Sequence, residues 1–203
     1  TIETILMVAM TLSGIHFGVL YATLLGKRNN IFRSEIVRTY IGMMLIVSVA
    51  IAISLYSNDI YGSLSEAMRH STFQVVSFTT TSGFATADAN LWTPFAIVLL
   101  MFCSVVCGCA GSTSGGIKVD RMAIAAKVVR NRIKQQQHPN AVISTKIDGV
   151  VRDDGTQSIV MTFLVAYVML VLIGTIINAM FGCDLLTGFS AAIACISNVG
   201  PGF

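Results

Sequence analysis

The chain has 203 residues, 54% of them hydrophobic and 11% charged, with a mean hydropathy of +0.76. A soluble globular domain carries about 25% charged residues, so this chain cannot clothe its own surface in water; disorder, a coiled coil and a disulfide scaffold are excluded with it. The net charge of +3 implies nothing about nucleic acid until its distribution is known. The solvent is lipid.

A helix crosses a hydrocarbon core about 30 Å thick with about 20 apolar residues. Ile2–Leu25 is the first such stretch, with Glu3 at its edge and His16 inside it. It is too long for a signal peptide and lacks a basic lead-in and a cleavage site. Thr39–Tyr56 is the second, at the short end of the range. Trp92–Ala110 is the third, with Pro94 in the first turn, where a missing N–H does no harm. Ile159–Phe181 is the fourth. The start at Thr1 without methionine and the stop at Phe203, just after Gly200-Pro201-Gly202, lead to the expectation of a fragment of a longer polypeptide.

The basic residues orient these spans. Lys27, Arg28, Arg33 and Arg38 lie between the first two spans, and Lys118, Arg121, Lys127, Arg130, Arg132, Lys134, Lys146 and Arg152 between the last two. Of the 13 basic residues only Arg69 lies elsewhere, so the positive-inside rule makes the face bearing the other 12 cytoplasmic. The outer face holds Glu3, Asp59, Glu66, Asp88 and Asp184. Such an acidic face raises the local concentration of cations.

Two outer segments do not fit simple loops. Ser57–Leu91 is 35 residues long and largely apolar, and Gly182–Phe203 follows the fourth span on the same side. Both are too short or too polar to cross and return as full helices, and they read as re-entrant hairpins. Ser63 with Glu66 three residues later is a capping box. The helix it starts is expected to end near Phe78, before the helix-poor run Thr79-Thr80-Thr81-Ser82-Gly83-Phe84. Asp184 caps a second helix through Leu185, Phe189 and Ile193, which ends in Ser197-Asn198-Val199-Gly200-Pro201-Gly202. Gly83 and Gly200 are 117 residues apart. The unit of repetition is span, half-helix, glycine-bearing strand, span. A permeating K+ must exchange water for oxygens inside lipid, and carbonyls of an extended segment supply them. Backbone of that kind is tolerated at membrane depth only where it lines a cavity or is buried in protein. The alternative, two apolar surface loops, leaves their matching positions unexplained.

Four signals are discounted. Gly111–Lys118 (GSTSGGIK) departs from the phosphate-loop pattern, because Ile117 follows Gly116 and Val119 follows Lys118. Cys103, Cys107 and Cys109, in one apolar run without His or carboxylate, read as small hydrophobes and not as a metal cluster. His16 reads as a packed polar residue before a proton relay, and His138-Pro139 as a plain polar turn. No converging nucleophile and base, or carboxylate–His metal set, points to an enzyme. An alternating-access cation symporter, moving K+ with H+ or Na+, would place polar or charged residues inside the spans. Apart from His16 and Asn178 these are nearly absent.

Phe78–Phe84 (FTTTSGF), GSTSGGIK and Ser197–Gly202 (SNVGPG) resemble the Trk/Ktr/HKT superfamily of potassium transporters, and most closely its bacterial TrkH type. Ser13–Phe17, Ser34-Glu35 and Arg38–Tyr40 add to the resemblance, which runs along nearly the whole chain. It implies an all-α membrane protein built of K+-channel-like M1–pore helix–M2 repeats with re-entrant pore loops. Residues 1–25 would be the last transmembrane helix of the second repeat, 26–38 a cytoplasmic basic loop and 39–134 the third repeat. Residues 135–157 would be a cytoplasmic linker, and 158–203 the start of the fourth repeat. The family's complete pore needs two further filter strands and a last helix.

The resemblance implies a pore-forming subunit of a K+ uptake system in the bacterial inner membrane, with no covalent chemistry and no cofactor. K+ would bind along Thr80, Thr81, Ser82 and Gly83 and along Ser197, Asn198, Val199 and Gly200, with Rb+ accepted and Na+ a second candidate. Glycine at both filter positions is the K+-type residue of the family. Gly108, Gly111, Ser112, Thr113, Ser114, Gly115 and Gly116 would form a gating loop inside a broken M2 helix; from residue character alone the stretch also fits a plain linker. Lys118, Arg121, Lys127, Arg130, Arg132 and Lys134 fit two readings, contact with anionic lipid or, by the resemblance, docking of a cytosolic nucleotide-binding ring. A homodimer is a further expectation from the family.

Overall fold

The structure, a computed structural model, describes residues 2–26, 31, 33–137 and 145–203, and the backbone alone of Arg152. Lys27 and Arg28 of the first basic loop and the His138-Pro139 turn lie outside the described residues.

Ile2–Leu25 is not one span. It forms α1 (Ile2–Ser13) and α2 (Phe17–Leu24), which meet at 102°. The sequence supplies the break. The Thr11 and Ser13 hydroxyls donate back to Met7 O (2.7 Å) and Met10 O (2.7 Å), Gly14 follows, and His16 Nδ1 accepts from Gly18 N at 2.8 Å. Hydroxyl back-bonding of this kind bends helices. His16, expected to be a packed polar residue, is exposed and serves as the N-cap of α2.

The second span is longer than its apolar core. α3 runs Glu35–Ser57 because Ser34 caps it by accepting from Val37 N, so its 23 residues rise about 35 Å, enough to cross. α4 (Leu64–Thr80) starts where expected, the Ser63 hydroxyl accepting from Glu66 N at 3.2 Å. It packs against α1, α3 and α5, and every residue from Phe73 to Thr80 is buried. A half-membrane helix with no outward face belongs inside a bundle, not on a surface loop. At the outer face its Arg69 forms a bidentate pair with Glu3, both contacts 2.6 Å.

The third span is also shorter than expected. α5 (Pro94–Val106) begins at the Thr93 cap and stops at Cys107, whose φ of 58° and ψ of −157° leave the helix. Its 13 residues rise about 20 Å, short of the bilayer core. The chain resumes as α6 (Val119–Gln137) after an irregular loop. α7 (Asp154–Met180) is the second helix that crosses unbroken, and α8 (Leu185–Ser197), capped by Asp184, turns back against it. Asp153 caps α7 by accepting from the Thr156 hydroxyl and N–H, which holds its carboxyl below the usual carboxylate value.

The expected 135–157 linker contains structure. β1 (Thr145–Ile147) pairs with β2 (Val150–Arg152) through an Asp148-Gly149 turn with φ of 48° and 78°, the double positive φ that tight hairpins favour. The Asp148 carboxylate accepts from the Ser34 hydroxyl (2.9 Å) and Glu35 N (2.5 Å), adding a second cap to α3. Lys127 of α6 pairs with Glu35 (2.5 Å) and donates to Lys146 O (2.9 Å). The hairpin therefore clamps the start of α3 to α6.

Gly14, at the break, lies against the fully buried Tyr40. A methyl group there would overlap the Tyr40 hydroxyl and come within 2.9 Å of Cζ. Gly14→Ala is expected to cost about 1–3 kcal/mol as an overpacked core site does, read as a lowered thermal midpoint in detergent. Tyr40→Phe in the same chain should recover part of the loss.

Candidate functional site

The two half-helices end in the same way. Thr80 closes α4; Thr81 turns left-handed (φ 55°, ψ 36°), its N–H bonding Phe78 O, and Ser82 N reaches back to Ser77 O at 3.1 Å. Ser197 closes α8; Asn198 turns left-handed (φ 61°, ψ 37°), its N–H bonding Cys195 O, and Val199 N reaches Ala194 O at 2.9 Å. This pair of bonds, one across three residues and one across five, is a Schellman motif. Positive-φ glycines follow at once, Gly83 at 74° and Gly200 at 103°. All three positions repeat at a spacing of 117 residues. The expected strand Thr80–Gly83 thus starts one residue late, at Thr81, and Ser197 likewise belongs to its helix. The reason is local: the left-handed Schellman turns form at Thr81 and Asn198, and the Thr79 and Thr80 hydroxyls find acceptors within the helix at Val75 O and Val76 O.

The two turns meet. A methyl group on Gly83 would lie 2.7 Å from Val199 O, so this backbone approach admits only glycine. Each strand is also held from behind. Gln74, buried in α4, donates Nε2 to Ala87 O (2.6 Å), and His70 Nδ1 lies 3.3 Å from the Thr86 hydroxyl. The Ser190 hydroxyl of α8 donates to Phe203 O (2.6 Å) and accepts from Phe203 N (2.9 Å). Tyr167 of α7 bonds Ser197 Oγ at 2.6 Å, fixing the end of α8. Gln74, Ser190 and Tyr167 are supports of the candidate site that sequence reasoning missed. Gln74 alone carried a signal, an amide inside an otherwise apolar and hydroxyl-bearing half-helix.

The Gly108–Gly116 loop lies directly against both turns. Gly115 N donates to the Thr81 hydroxyl at 3.1 Å, and a methyl group on Gly115 would overlap the Ser197 carbonyl oxygen. The loop is not an unstructured linker. Its Cys109 N and Thr113 N donate to Gly14 O (2.9 Å) and Ser13 O (3.3 Å), and its Gly111 O accepts from Phe17 N (3.2 Å). Ser112 Oγ and Ser114 Oγ lie 2.8 Å apart, Ser114 Oγ accepts from Gly108 N (3.1 Å), and Ala110 N donates to Asp120 Oδ2 (2.5 Å). Where α5 stops, Val105 O, Val106 O and Gly108 O accept from Ile117, Lys118 and Val119 N–H, at 3.0, 2.9 and 2.9 Å. The stretch that resembles a phosphate loop follows a helix and not a strand.

The basic block divides. Lys118 (φ 81°) turns toward the loop; its Nζ donates to Ser112 O (3.3 Å), Ser114 O and Ser114 Oγ (3.4 Å), drawing the loop closed. Arg121 donates to Ile117 O (3.3 Å) and lies 4.1 Å over the Phe163 ring, and Lys127 is taken by Glu35. Arg130, Arg132 and Lys134 are exposed. Cys103, Cys107 and Cys109 are buried thiols, Cys107 donating to Ser104 O.

Comparisons with known proteins agree along the whole length. The family model described as TrkH, cation transport protein, matches residues 1–203. The Trk system potassium uptake protein TrkH of Salmonella typhimurium is 32% identical over all of this chain, which covers 42% of that relative. TrkH of Halomonas elongata is 38% identical over 79% of the chain and 32% of that relative. The crystal structure of the potassium transporter TrkH from Vibrio parahaemolyticus superposes with a TM-score of 0.91 at 30% identity, over 99% of this chain and 44% of that one. The chain therefore spans less than half the length of these relatives.

Lys118→Met would remove the charged donor that gathers the loop. Hydrogen bonds to charged groups contribute about 1.5–3 kcal/mol, so amide exchange across Gly108–Gly116 is expected to rise by about tenfold or more. Mass spectrometry of exchange in detergent reads this directly, with α3 as the unchanged reference.

Proposed function

Because the chain belongs to the TrkH family of cation transport proteins, we propose that it forms part of the ion path of the membrane subunit of a potassium uptake system, in the bacterial inner membrane. The observation that carries this reading is the pair of matching helix–turn–glycine units whose backbones touch at Gly83 and Val199. A helix C-terminus bears partial negative charge, and a turn with positive-φ glycine directs carbonyls away from the helix that made it. Two such units face to face, their strands anchored by Gln74 and Ser190, present rows of carbonyl oxygen to a dehydrating cation. The oxygens lie along Thr81–Gly83 and Asn198–Gly200, with the carbonyls of Thr80 and Ser197 at the inner, helical edge. K+ is the cargo, with Rb+ as its surrogate and Na+ disfavoured by glycine at both filter positions.

Gly108–Gly116 acts as the gate in this reading. It lies against the inner side of both turns at Thr81 and Ser197, it has few side-chain atoms to move, and Lys118 latches it from the cytoplasmic side. Displacing it requires breaking its bonds to Ser13 and Gly14, so opening is coupled to the α1–α2 break. α6 continues from the loop to the cytoplasmic clamp with α3 and the β-hairpin, which suits it to carry a regulatory pull from a cytosolic nucleotide-binding ring. The subunit functions as a homodimer.

Cation flux from proteoliposomes of the intact protein tests the filter. Passive flux of K+ and Rb+ far above Na+ is expected, and Gly83→Ser should lower the preference for K+ over Na+ by about tenfold, or 1.4 kcal/mol. Unchanged selectivity would remove Gly83 from the filter, and flux that needs an accompanying ion gradient would favour a symporter. Gly115→Ala tests the gate: a methyl group that cannot coexist with Ser197 O should displace the loop and raise basal K+ flux. Flux equal to that of the unaltered protein would make the loop a passive lining.

A further inference from the structure

α6 carries a second stripe that the clamp to α3 does not use. Ala126, Val129, Arg130 and Ile133 recur at helical spacing, and with Val105 of α5 and Val168 of α7 they line an open groove of about 940 Å³. Val129 and Ile133 are 48% and 54% exposed, and the groove is apolar along its length except at one end, where Arg130 and Lys134 stand one helical turn apart. α6 leaves the loop at membrane depth and runs toward the basic, cytoplasmic face, so the two cations mark the inner-leaflet end. Among the described residues neither is within ion-pairing distance of a carboxylate, whereas Lys127, seven residues before Lys134 on the same helix, pairs with Glu35.

We propose that this groove is a binding site for one anionic phospholipid of the inner leaflet, with an acyl chain between α5, α6 and α7 and the phosphate between Arg130 and Lys134. The chemistry matches at both ends. An apolar cleft open to the bilayer takes a hydrocarbon chain without desolvating any polar group. Two unpaired cations at its mouth, held beside low-dielectric surface, favour a negatively charged headgroup over a zwitterionic one, as basic pockets between transmembrane helices on the cytoplasmic side do. The occupant would bridge α6, which leads from the loop, to α7, which supports the second turn through Tyr167. The bound lipid therefore belongs to the helix that moves with the loop.

The test is native mass spectrometry of the intact protein in detergent, titrated with dioleoyl phosphatidylglycerol, cardiolipin or dioleoyl phosphatidylcholine. The unaltered protein should retain the two anionic lipids and not phosphatidylcholine. Arg130→Gln with Lys134→Gln should weaken phosphatidylglycerol binding roughly thirty-fold, from about 1 kcal/mol for each basic contact. Ala126→Trp, which fills the exposed groove and leaves both charges, should weaken it as strongly. Arg132→Gln, an exposed charge outside the groove, should leave it unchanged. Three outcomes overturn the proposal. Equal retention of phosphatidylcholine, or equal loss in Arg132→Gln, would reduce the effect to general surface charge. Binding that survives Ala126→Trp would mean that a phosphate alone is recognised. Absence of bound lipid together with a change of oligomeric state in Ala126→Trp would give the groove to a second copy of the chain.

Discussion

The constraint on which this structure depends is that backbone inside a bilayer must find all its hydrogen bonds within the protein. Two of the four apolar stretches are broken at membrane depth, at Gly14 and at Cys107, and each break frees carbonyls and N–H groups that lipid cannot satisfy. The two breaks answer one another. The Gly108–Gly116 loop donates to Ser13 O and Gly14 O and accepts from Phe17 N, and the remaining ends of α5 and α6 bond each other across the loop. Neither interruption would be tolerable alone. Their pairing places a glycine-rich, hydroxyl-rich segment beside the two left-handed turns that end α4 and α8.

The same principle explains the hydroxyls. The hydroxyls of Thr79, Thr80, Ser82 and Ser112 donate to nearby carbonyls, Ser77 Oγ accepts from Ser82, and Ser112 and Ser114 bond each other, so these side chains add polar atoms to the centre of the bundle with each hydroxyl partnered. A charged donor appears there once, at Lys118, where three oxygens of the loop receive it.

Much of this was legible in advance. The half-helix from Ser63 was visible because its cap is a local signal, and the second because its glycine recurs 117 residues after the first. The sidedness was visible because it is a matter of counting charges. The ends of elements were less legible. α4 runs two residues past Phe78, to the left-handed turn at Thr81 that ends it, and α3 begins four residues before Thr39 because Asp148, 113 residues from Glu35, caps it along with Ser34.

The sequence by itself determined the solvent, the number of apolar segments, their orientation and the repeat, because hydropathy, charge and glycine spacing act over a few residues or simply accumulate along the chain. The tertiary structure decided the 102° break at Gly14, the inward turn of Lys118 and the clamp of Lys127 onto Glu35, and with them which basic residues remain free to meet lipid. Hydropathy reads Ile2–Leu25 as continuous, and composition reads every lysine on one face alike. Only the positions of distant carbonyls and carboxylates separate a broken helix from a straight one, or a latch from a surface charge.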